Sequence, residues 1–174
     1  MITAMLLSPI LNSQSQCISG DCQDGIGELK IVFTDGSIGY HQGAFMYGIP
    51  NGQGVFTCDT YSTEGLFEDN SLIEGEYTSH NLHQTGLFRE NQLHGINCFE
   101  KWTMEDGTII INEGRFINGA LLEGTSSTTS SMGFFEECTF HDGELIACIK
   151  NTENTHVAED IAGPASTTFK VVYV

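Results

Sequence analysis

Positive charge is scarce in this chain. Its 174 residues include 6 lysines and arginines against 23 aspartates and glutamates, which gives a formal net charge of −17. A field of this sign repels a phosphate backbone and disfavours anionic lipid headgroups, so we expect neither nucleic acid nor an anionic membrane as a partner. Because the acids are scattered along the chain, we interpret them as a solvated surface.

Long apolar runs are missing too. A transmembrane helix needs about 20 apolar residues, and the N-terminal run from Ile2 to Leu11 is too short for one. Ser13 and Ser15 are small residues that suit a signal-peptidase cut before Gln16, but no basic region precedes the run. Residues 1–15 are therefore either the remnant of a signal peptide that begins upstream or an ordinary apolar N-terminus.

Sequence motifs of catalytic, metal and nucleotide sites are also missing. No Cys-x-x-Cys occurs, and His80, His83 and His94 have no cysteine pair at zinc-site spacing. No glycine-rich phosphate loop opens a helical pattern, and no motif orders two carboxylates as a glycosidase does. We expect no catalytic residue, metal or cofactor, with an extracellular hydrolase that uses groove carboxylates as the alternative.

Glycine, in contrast, is abundant, with 20 residues against 3 prolines. Five segments share one pattern, a glycine (cysteine in the fifth), any residue, a phenylalanine and then a short turn: QGAFMYGIPNG, EGLFEDNSLIEG, TGLFRENQLHG, EGRFINGALLEG and ECTFHDGELIAC. The repeated residues are Gly43 and Phe45, Gly65 and Phe67, Gly86 and Phe88, Gly114 and Phe116, and finally Cys138 and Phe140. Such self-similarity predicts a repeat protein.

Each repeat predicts a β-hairpin. Gly-x-Phe puts both residues on one face of a strand, and Asn118-Gly119 and Asp142-Gly143 are typical hairpin turns. A single hairpin cannot bury its apolar face. We therefore expect an all-β fold, a linear array of about five to six stacked antiparallel β-hairpins, over residues 16–148. A ring from a neighbouring unit would lie over each leading glycine.

The repeat resembles the MORN (membrane occupation and recognition nexus) family, whose units run Tyr-x-Gly-x-Phe, a turn with Asn-Gly, then Gly-x-Gly and an aromatic strand. The closest match is Gly43-Ala44-Phe45 followed by Asn51-Gly52-Gln53-Gly54, and the opening CISGDC is similar to the start of bacterial secreted members. The resemblance implies a non-catalytic scaffold for protein or membrane-surface interaction.

The charge favours a protein partner, whose identity the sequence does not give, or self-association. The residues that bind such a partner are unknown. Tyr47, Tyr77 and Trp102 are of the types that serve as interface anchors, but each is equally suited to packing within the array.

The cysteines predict two disulfides at the ends of the array. Cys17 and Cys22 enclose a short loop where it begins. Cys138 and Cys148 face each other if the last turn centres on Gly143, although a slip of one residue would separate them. Six cysteines suit an oxidising compartment. We expect a periplasmic, cell-surface or secreted protein, with a cytoplasmic one as the alternative.

Residues 149–174 form a C-terminal extension. Its first part is polar and rich in turn residues, with a break at Gly163-Pro164. The final FKVVYV is rich in β-formers, and we expect it to cover the open edge of the last hairpin because an exposed strand of this kind is prone to aggregate. The alternative is a frayed end.

Overall fold

A computed structural model describes residues 14–150 and the backbone of Lys170–Tyr173. These residues form strands and no helix, so no helix among them can span a membrane. The strands are β1 Gln14–Gly20, β2 Ile26–Val32, β3 Ile38–Met46, β4 Ile49–Cys58, β5 Tyr61–Glu68, β6 Ser71–Ser79, β7 Leu82–Arg89, β8 Gln92–Leu93, β9 Gly95–Thr103, β10 Ile109–Ile117, β11 Ala120–Thr129, β12 Phe135–His141, β13 Glu144–Lys150 and β14 Lys170–Tyr173.

The strands form one open antiparallel sheet. Each pairs with the next in sequence, except that the short β8 pairs only with β7, and β9 takes its place in the order. The predicted all-β array of stacked antiparallel hairpins is confirmed. Gln14 and Ser15 belong to β1, whereas the rest of the predicted signal-peptide remnant lies outside the described residues. The backbone of β14 pairs with β13, and residues 151–169 of the extension also lie outside them.

Two-residue turns close the five repeated hairpins. Both central residues of every turn have positive φ, between 47° and 79°, which is the type I′ geometry that matches the twist of the strands. The turns are Tyr47-Gly48, Asp69-Asn70, Glu90-Asn91, Asn118-Gly119 and Asp142-Gly143. In the first unit the Asn-Gly pair is therefore not the turn, because Asn51-Gly52 lies inside β4.

Hydrogen bonds tie the turns of successive hairpins together. The backbone N–H of Gly48 donates to the carbonyl of Gln23 at 2.9 Å, and that of Asn70 donates to Pro50 at 3.0 Å. Gly119 and Gly143 make the same kind of bond, to Leu93 and Leu122 respectively. These bonds add to the strand pairing and fix one hairpin against the next at this edge of the sheet.

A row of glycines crosses the sheet from strand to strand. Its members are Gly20, Gly27, Gly43, Gly54, Gly65, Gly75, Gly86, Gly114 and Gly124, with Cys98 between Gly86 and Gly114. Gly65 has φ +149°, and a Cβ there would collide with the carbonyl oxygen of Glu74. We expected a phenylalanine ring over each leading glycine. At Gly43, Gly65 and Gly114, however, the nearest atoms are backbone atoms of the adjacent strand.

The sheet is creased along this glycine row. The rings of His41 and Phe45 are 5.3 Å apart, although the residues are four positions apart in β3. In a straight strand that separation would be about 13 Å, so the chain bends sharply at Gly43 between them. We call the side enclosed by the crease the inner face. Its residues lie an even number of positions from the glycine row, except where a bulge on the turn side of the row brings Leu72 and Leu121, three positions away, onto the same face. The opposite side is the outer face.

The core lies inside the crease. Four of the repeat phenylalanines are buried there, and each pairs across its hairpin with an apolar residue. The pairs are Phe45 with Pro50, Phe67 with Leu72, Phe88 with Leu93, and Phe116 with Leu121. An aromatic ring buries about 150–250 Å², so these rings are the main cohesive contribution of each unit.

The fifth hairpin is displaced by two residues. Gly124 pairs with Phe140, and Cys138 pairs with Ser126, so Cys138 does not occupy the glycine row that its alignment with Gly114 predicts. A shift of two residues keeps every side chain on its own face. Phe140 therefore stands in the glycine row rather than in the row of buried rings, and it is only half-buried.

Both predicted disulfides are present, Cys17–Cys22 and Cys138–Cys148. The turn of the last hairpin is Asp142-Gly143 rather than a turn centred on Gly143, and a bulge between Thr139 and Phe140 brings Cys138 opposite Cys148. Two disulfides are typical of proteins in an oxidising compartment. Cys58 and Cys98 are free thiols.

Candidate functional site

The outer face carries exposed carboxylates on hairpin β5–β6. We define the acidic patch as Glu64, Glu68, Glu74 and Glu76, all of which are exposed. Glu64 and Glu76 lie directly opposite each other on the two strands, an arrangement that is unfavourable for like charges. Within the described residues, the basic side chain that contacts the patch is His83, whose Nδ1 lies 3.5 Å from a Glu76 oxygen. The patch therefore retains most of its negative charge.

A second charged cluster joins the fourth and fifth hairpins. Arg115 donates two hydrogen bonds to Glu123, at 3.1 and 3.0 Å. These bonds raise the pKa of Arg115 and lower the pKa of Glu123. Asp142 lies 3.7 Å from the Arg115 guanidinium, and His141 lies 3.8 Å from Glu123. The cluster contains its own cation and is nearly satisfied internally.

Two groups of described residues have donor atoms close enough for a metal ion. One is Glu136, Cys138 and Cys148, but both of its sulfurs are in the disulfide. The other is Glu123, His141 and Asp142, where the Arg115 guanidinium already pairs with both carboxylates and competes with a metal ion. Neither group is a suitable metal centre.

The histidines singled out by sequence do not meet at one site. His80 is exposed in a turn. The Nδ1 of His83 lies 3.1 Å from the Thr78 hydroxyl, and the Nδ1 of His94 accepts a bond from the Asn118 backbone at the other edge of the sheet. These contacts are local and structural.

The first half of the inner face is aromatic. Phe33 and Phe56 have ring centroids 6.4 Å apart, Phe56 and Tyr61 are 5.4 Å apart, and Tyr61 stacks on Tyr77 at 5.4 Å. Burial raises the pKa of Tyr61 to about 12, so its phenol remains protonated at neutral pH. This half is a packed apolar surface.

His41 is buried within this aromatic region. It is 1% exposed, its ring meets that of Phe67 edge-on at 4.8 Å, and its Nε2 has no hydrogen-bond partner among the described residues. Desolvation lowers the pKa of His41 to about 4, so the ring is neutral at pH 7. Among the described residues, His41 therefore packs as a neutral aromatic group of the core. Sequence reasoning missed it because its burial depends on the crease.

The second half of the inner face is polar. Glu100 lies between Gln84 and Asn112 on the two neighbouring strands. The side-chain amide of Gln84 donates to one carboxylate oxygen at 2.8 Å, and that of Asn112 donates to the other, also at 2.8 Å. Glu100 is only 8% exposed. Sequence reasoning missed this row of polar residues. The sequence does contain a signal for it, because Gln84 and Asn112 each lie two positions before a glycine of the repeat, Gly86 and Gly114.

The three aromatic residues considered as anchors lie apart. Tyr47 occupies the first hairpin turn and is 79% exposed. Tyr77 and Trp102 are half-buried on the inner face, where Tyr77 stacks on Tyr61. Trp102 is two residues from Glu100, between Leu82 and Ile110 on the neighbouring strands. Tyr77 lies directly opposite Gln84, so Tyr77 and Trp102 both adjoin the polar row, and Tyr47 does not.

The carboxylates do not converge in an enclosed site. In the described strands, Glu100 and Glu136 are the acids of the inner face, and Glu136 pairs with Lys150 at 2.9 Å. Two shallow depressions in the described sheet are open to solvent, and each has one carboxylate in its lining, Glu113 or Asp21. A general acid and a second carboxylate at glycosidase separation are not brought together there.

No protein-family model matches the chain, and a search of curated proteins finds no match.

Proposed function

We propose that the chain is a non-catalytic, MORN-like repeat scaffold that binds a protein partner through the outer face of its sheet. The acidic patch carries this proposal. Its four exposed carboxylates lie on one hairpin, two of them directly opposite each other, with His83 as their ion-pair neighbour in the described sheet. A basic surface that docks here relieves repulsion between like charges and gains complementary ones.

The size of the outer face suits a protein rather than a small molecule. Five neighbouring strands span about 24 Å at roughly 4.8 Å each, and eight residues span about 26 Å along a strand. The projected area is roughly 600 Å², which approaches one side of a standard protein interface. The surface is open and lacks the concave, largely apolar shape of small-molecule sites.

The MORN-like assignment is supported by the repeat itself. Each unit contributes a hairpin with a two-residue turn, and four of the five place Gly-x-Phe at the crease. The disulfides support a location outside the cytoplasm. We propose that this location is the periplasm, the cell surface or the medium. The separated inner-face carboxylates weigh against the hydrolase alternative.

A capture experiment tests the proposed function. The native chain and a Glu64→Gln, Glu74→Gln, Glu76→Gln variant are immobilised and exposed to extract from the source cells. We expect the native chain to retain a basic partner that the variant releases and that high salt displaces, because exposed charges are screened within about 3 Å at 1 M salt. Equal retention by both chains would contradict the proposal. Recovery of the chain alone would point to self-association instead.

A matched control keeps this result specific. The variant Lys30→Gln, Lys101→Gln removes basic side chains from the same outer face, on strands β2 and β9 outside the acidic patch. We expect it to retain the basic partner at least as well as the native chain, since the acidic patch is intact. Loss of the partner from this control would show that capture depends on general changes to the surface.

A further inference from the structure

Glu100 is a buried carboxyl group that has no cationic partner among the described residues. Its carboxylate accepts hydrogen bonds from Gln84 and Asn112, but both donors are neutral amides. The ion pairs found in the described part of the chain do not include Glu100. Glutamates are almost never fully buried unless they are paired, because burial removes the hydration of the charge. A cation supplied from outside would complete this site.

We propose that the inner face binds the guanidinium group of an arginine side chain from a partner, with Glu100 as the acceptor and Trp102 as the stacking surface. This inference rests on the proposed function for the existence of a protein partner, and it adds a second contact on the opposite face of the sheet.

The unused hydrogen-bonding capacity around Glu100 is suited to a donor. A carboxylate has about four acceptor positions, and the amides of Gln84 and Asn112 occupy one on each oxygen. The carbonyl oxygens of the same two amides are further acceptors without a side-chain donor among the described residues. A guanidinium carries five N–H donors in a planar fork and no acceptor.

Trp102 provides the second half of the site. It is two residues from Glu100 on β9 and therefore on the same face. Leu82 and Ile110 flank it on the neighbouring strands, and all three side chains are half-buried rather than covered. Arginine stacks on tryptophan within about 6 Å and is more weakly hydrated than lysine. These properties favour arginine over lysine as the occupant.

The surroundings add no competing positive charge. Ser126 lies beside Asn112 and Thr128 beside Ile110 on the next strand, and both are neutral. Lys101 lies between Glu100 and Trp102 in the sequence and therefore on the outer face. An incoming guanidinium thus approaches a surface that is negative or neutral.

Trp102 makes the site measurable because it is the only tryptophan of the chain. Its fluorescence is followed while the native protein is titrated with N-acetyl-arginine methylamide and, separately, with the citrulline analogue, which has the same shape without the charge. We expect a saturable change with the arginine probe at roughly millimolar concentration, a typical affinity for a single small contact. The citrulline probe should need at least about tenfold more, equivalent to the loss of about 1.4 kcal/mol.

Two variants separate the proposed site from general effects of charge. Glu100→Gln keeps the size of the side chain and removes the charge, and we expect at least about tenfold weaker binding of the arginine probe. Glu113→Gln removes a carboxylate from the outer face of the neighbouring strand β10 and should leave the titration unchanged. Circular dichroism and the oxidised state of both disulfides verify that each variant is folded.

A third variant is used if Glu100→Gln does not fold. Ile110→Arg places a guanidinium beside Trp102 and diagonal to Glu100, and it should abolish the response by filling the site from within. Three results would overturn the inference: no response in the native protein, equal responses to the two probes, or an unchanged response in a folded Glu100 or Ile110 variant. The titration uses no partner, so its failure leaves partner capture by the acidic patch to be judged separately.

Discussion

At the residue scale, His41 is held neutral by its position inside the crease. Its pKa of about 4 lies below the ordinary value of 6.5, so below pH 6.5 the unfolded chain takes up a proton that the folded chain refuses. The contribution of neutral His41 to the free energy of unfolding is therefore fully present above pH 6.5 and is lost as the pH falls towards 4. The slope for one group is about 1.4 kcal/mol per pH unit, or about 3 kcal/mol over the interval.

Urea unfolding at about pH 7 and pH 5 checks this prediction. We expect the native protein to lose more stability between the two pH values than a His41→Leu variant does, since the variant lacks the group. A His80→Leu variant, altered at an exposed position, should keep the native dependence. Parallel curves for the native and His41→Leu proteins would contradict the prediction. Asp21, Asp35 and Asp106 have lowered pKa values, so their contribution to stability is present above pH 3.8 and is lost only below it, outside this window.

Gly65 tests the reason for the glycine row. Its φ is +149°, and an added Cβ would collide with the backbone of Glu74. We expect Gly65→Ala to lower the free energy of unfolding by at least about 2 kcal/mol, because strain and a backbone clash act together. Gly36 has φ +86° with nothing near an added Cβ. Gly36→Ala should therefore cost only about 1–2 kcal/mol. Equal losses in denaturant unfolding would show that close strand approach is not the reason.

At the scale of elements, the last hairpin depends on its disulfide. β12 and β13 carry the displaced register, and their phenylalanine is only half-buried. Cys138 and Cys148 are separated by 10 residues, and closing a loop of that size stabilises by about 2–3 kcal/mol in the chain-entropy estimate. A Cys138→Ser, Cys148→Ser variant should exchange its β12–β13 amide hydrogens faster. Units of a repeat array contact mainly their neighbours, so β5–β6 should keep its protection.

Hydrogen exchange followed by mass spectrometry resolves the two hairpins. The matched control is a Cys17→Ser, Cys22→Ser variant, which removes the disulfide at the other end of the array. That variant should leave β12–β13 unaffected. Faster exchange throughout the sheet in either variant would mean that the array unfolds as one unit.

The elements also show where sequence reasoning reached its limit. Turns such as Asn118-Gly119 were identifiable because type I′ geometry requires positive φ at both positions, and few residues accept it. The pairing of Cys138 with Cys148 was predicted correctly, but a bulge rather than the turn centre produces it. The two-residue displacement of β12 against β11 could not be predicted from the local sequence pattern. A register shift of two residues leaves every side chain on the same face of the sheet, so the alternation of apolar and polar residues does not change.

At the scale of the whole molecule, the net charge of −17 opposes the folded state. Folding brings carboxylates together, as in the opposed pair Glu64 and Glu76, and this repulsion is screened by salt. We expect the melting temperature to rise between about 20 mM and 500 mM sodium chloride. A Glu64→Gln, Glu76→Gln variant should melt higher at low salt and respond less to added salt, as followed by circular dichroism. A native melting temperature independent of salt would contradict this.

The sequence by itself determined the hairpins, the turns Asn118-Gly119 and Asp142-Gly143, the all-β class, the sign of the surface and the cysteine pairs. All of these depend on a period of two, on turn residues or on counting, which are local properties. Only the tertiary structure decided that the sheet is creased at the glycine row, that His41 is buried and that Glu100 lies between Gln84 and Asn112. These features depend on the register between strands and on bulges. Because a register shift of one residue moves a side chain to the other face of the sheet, local sequence patterns do not determine them.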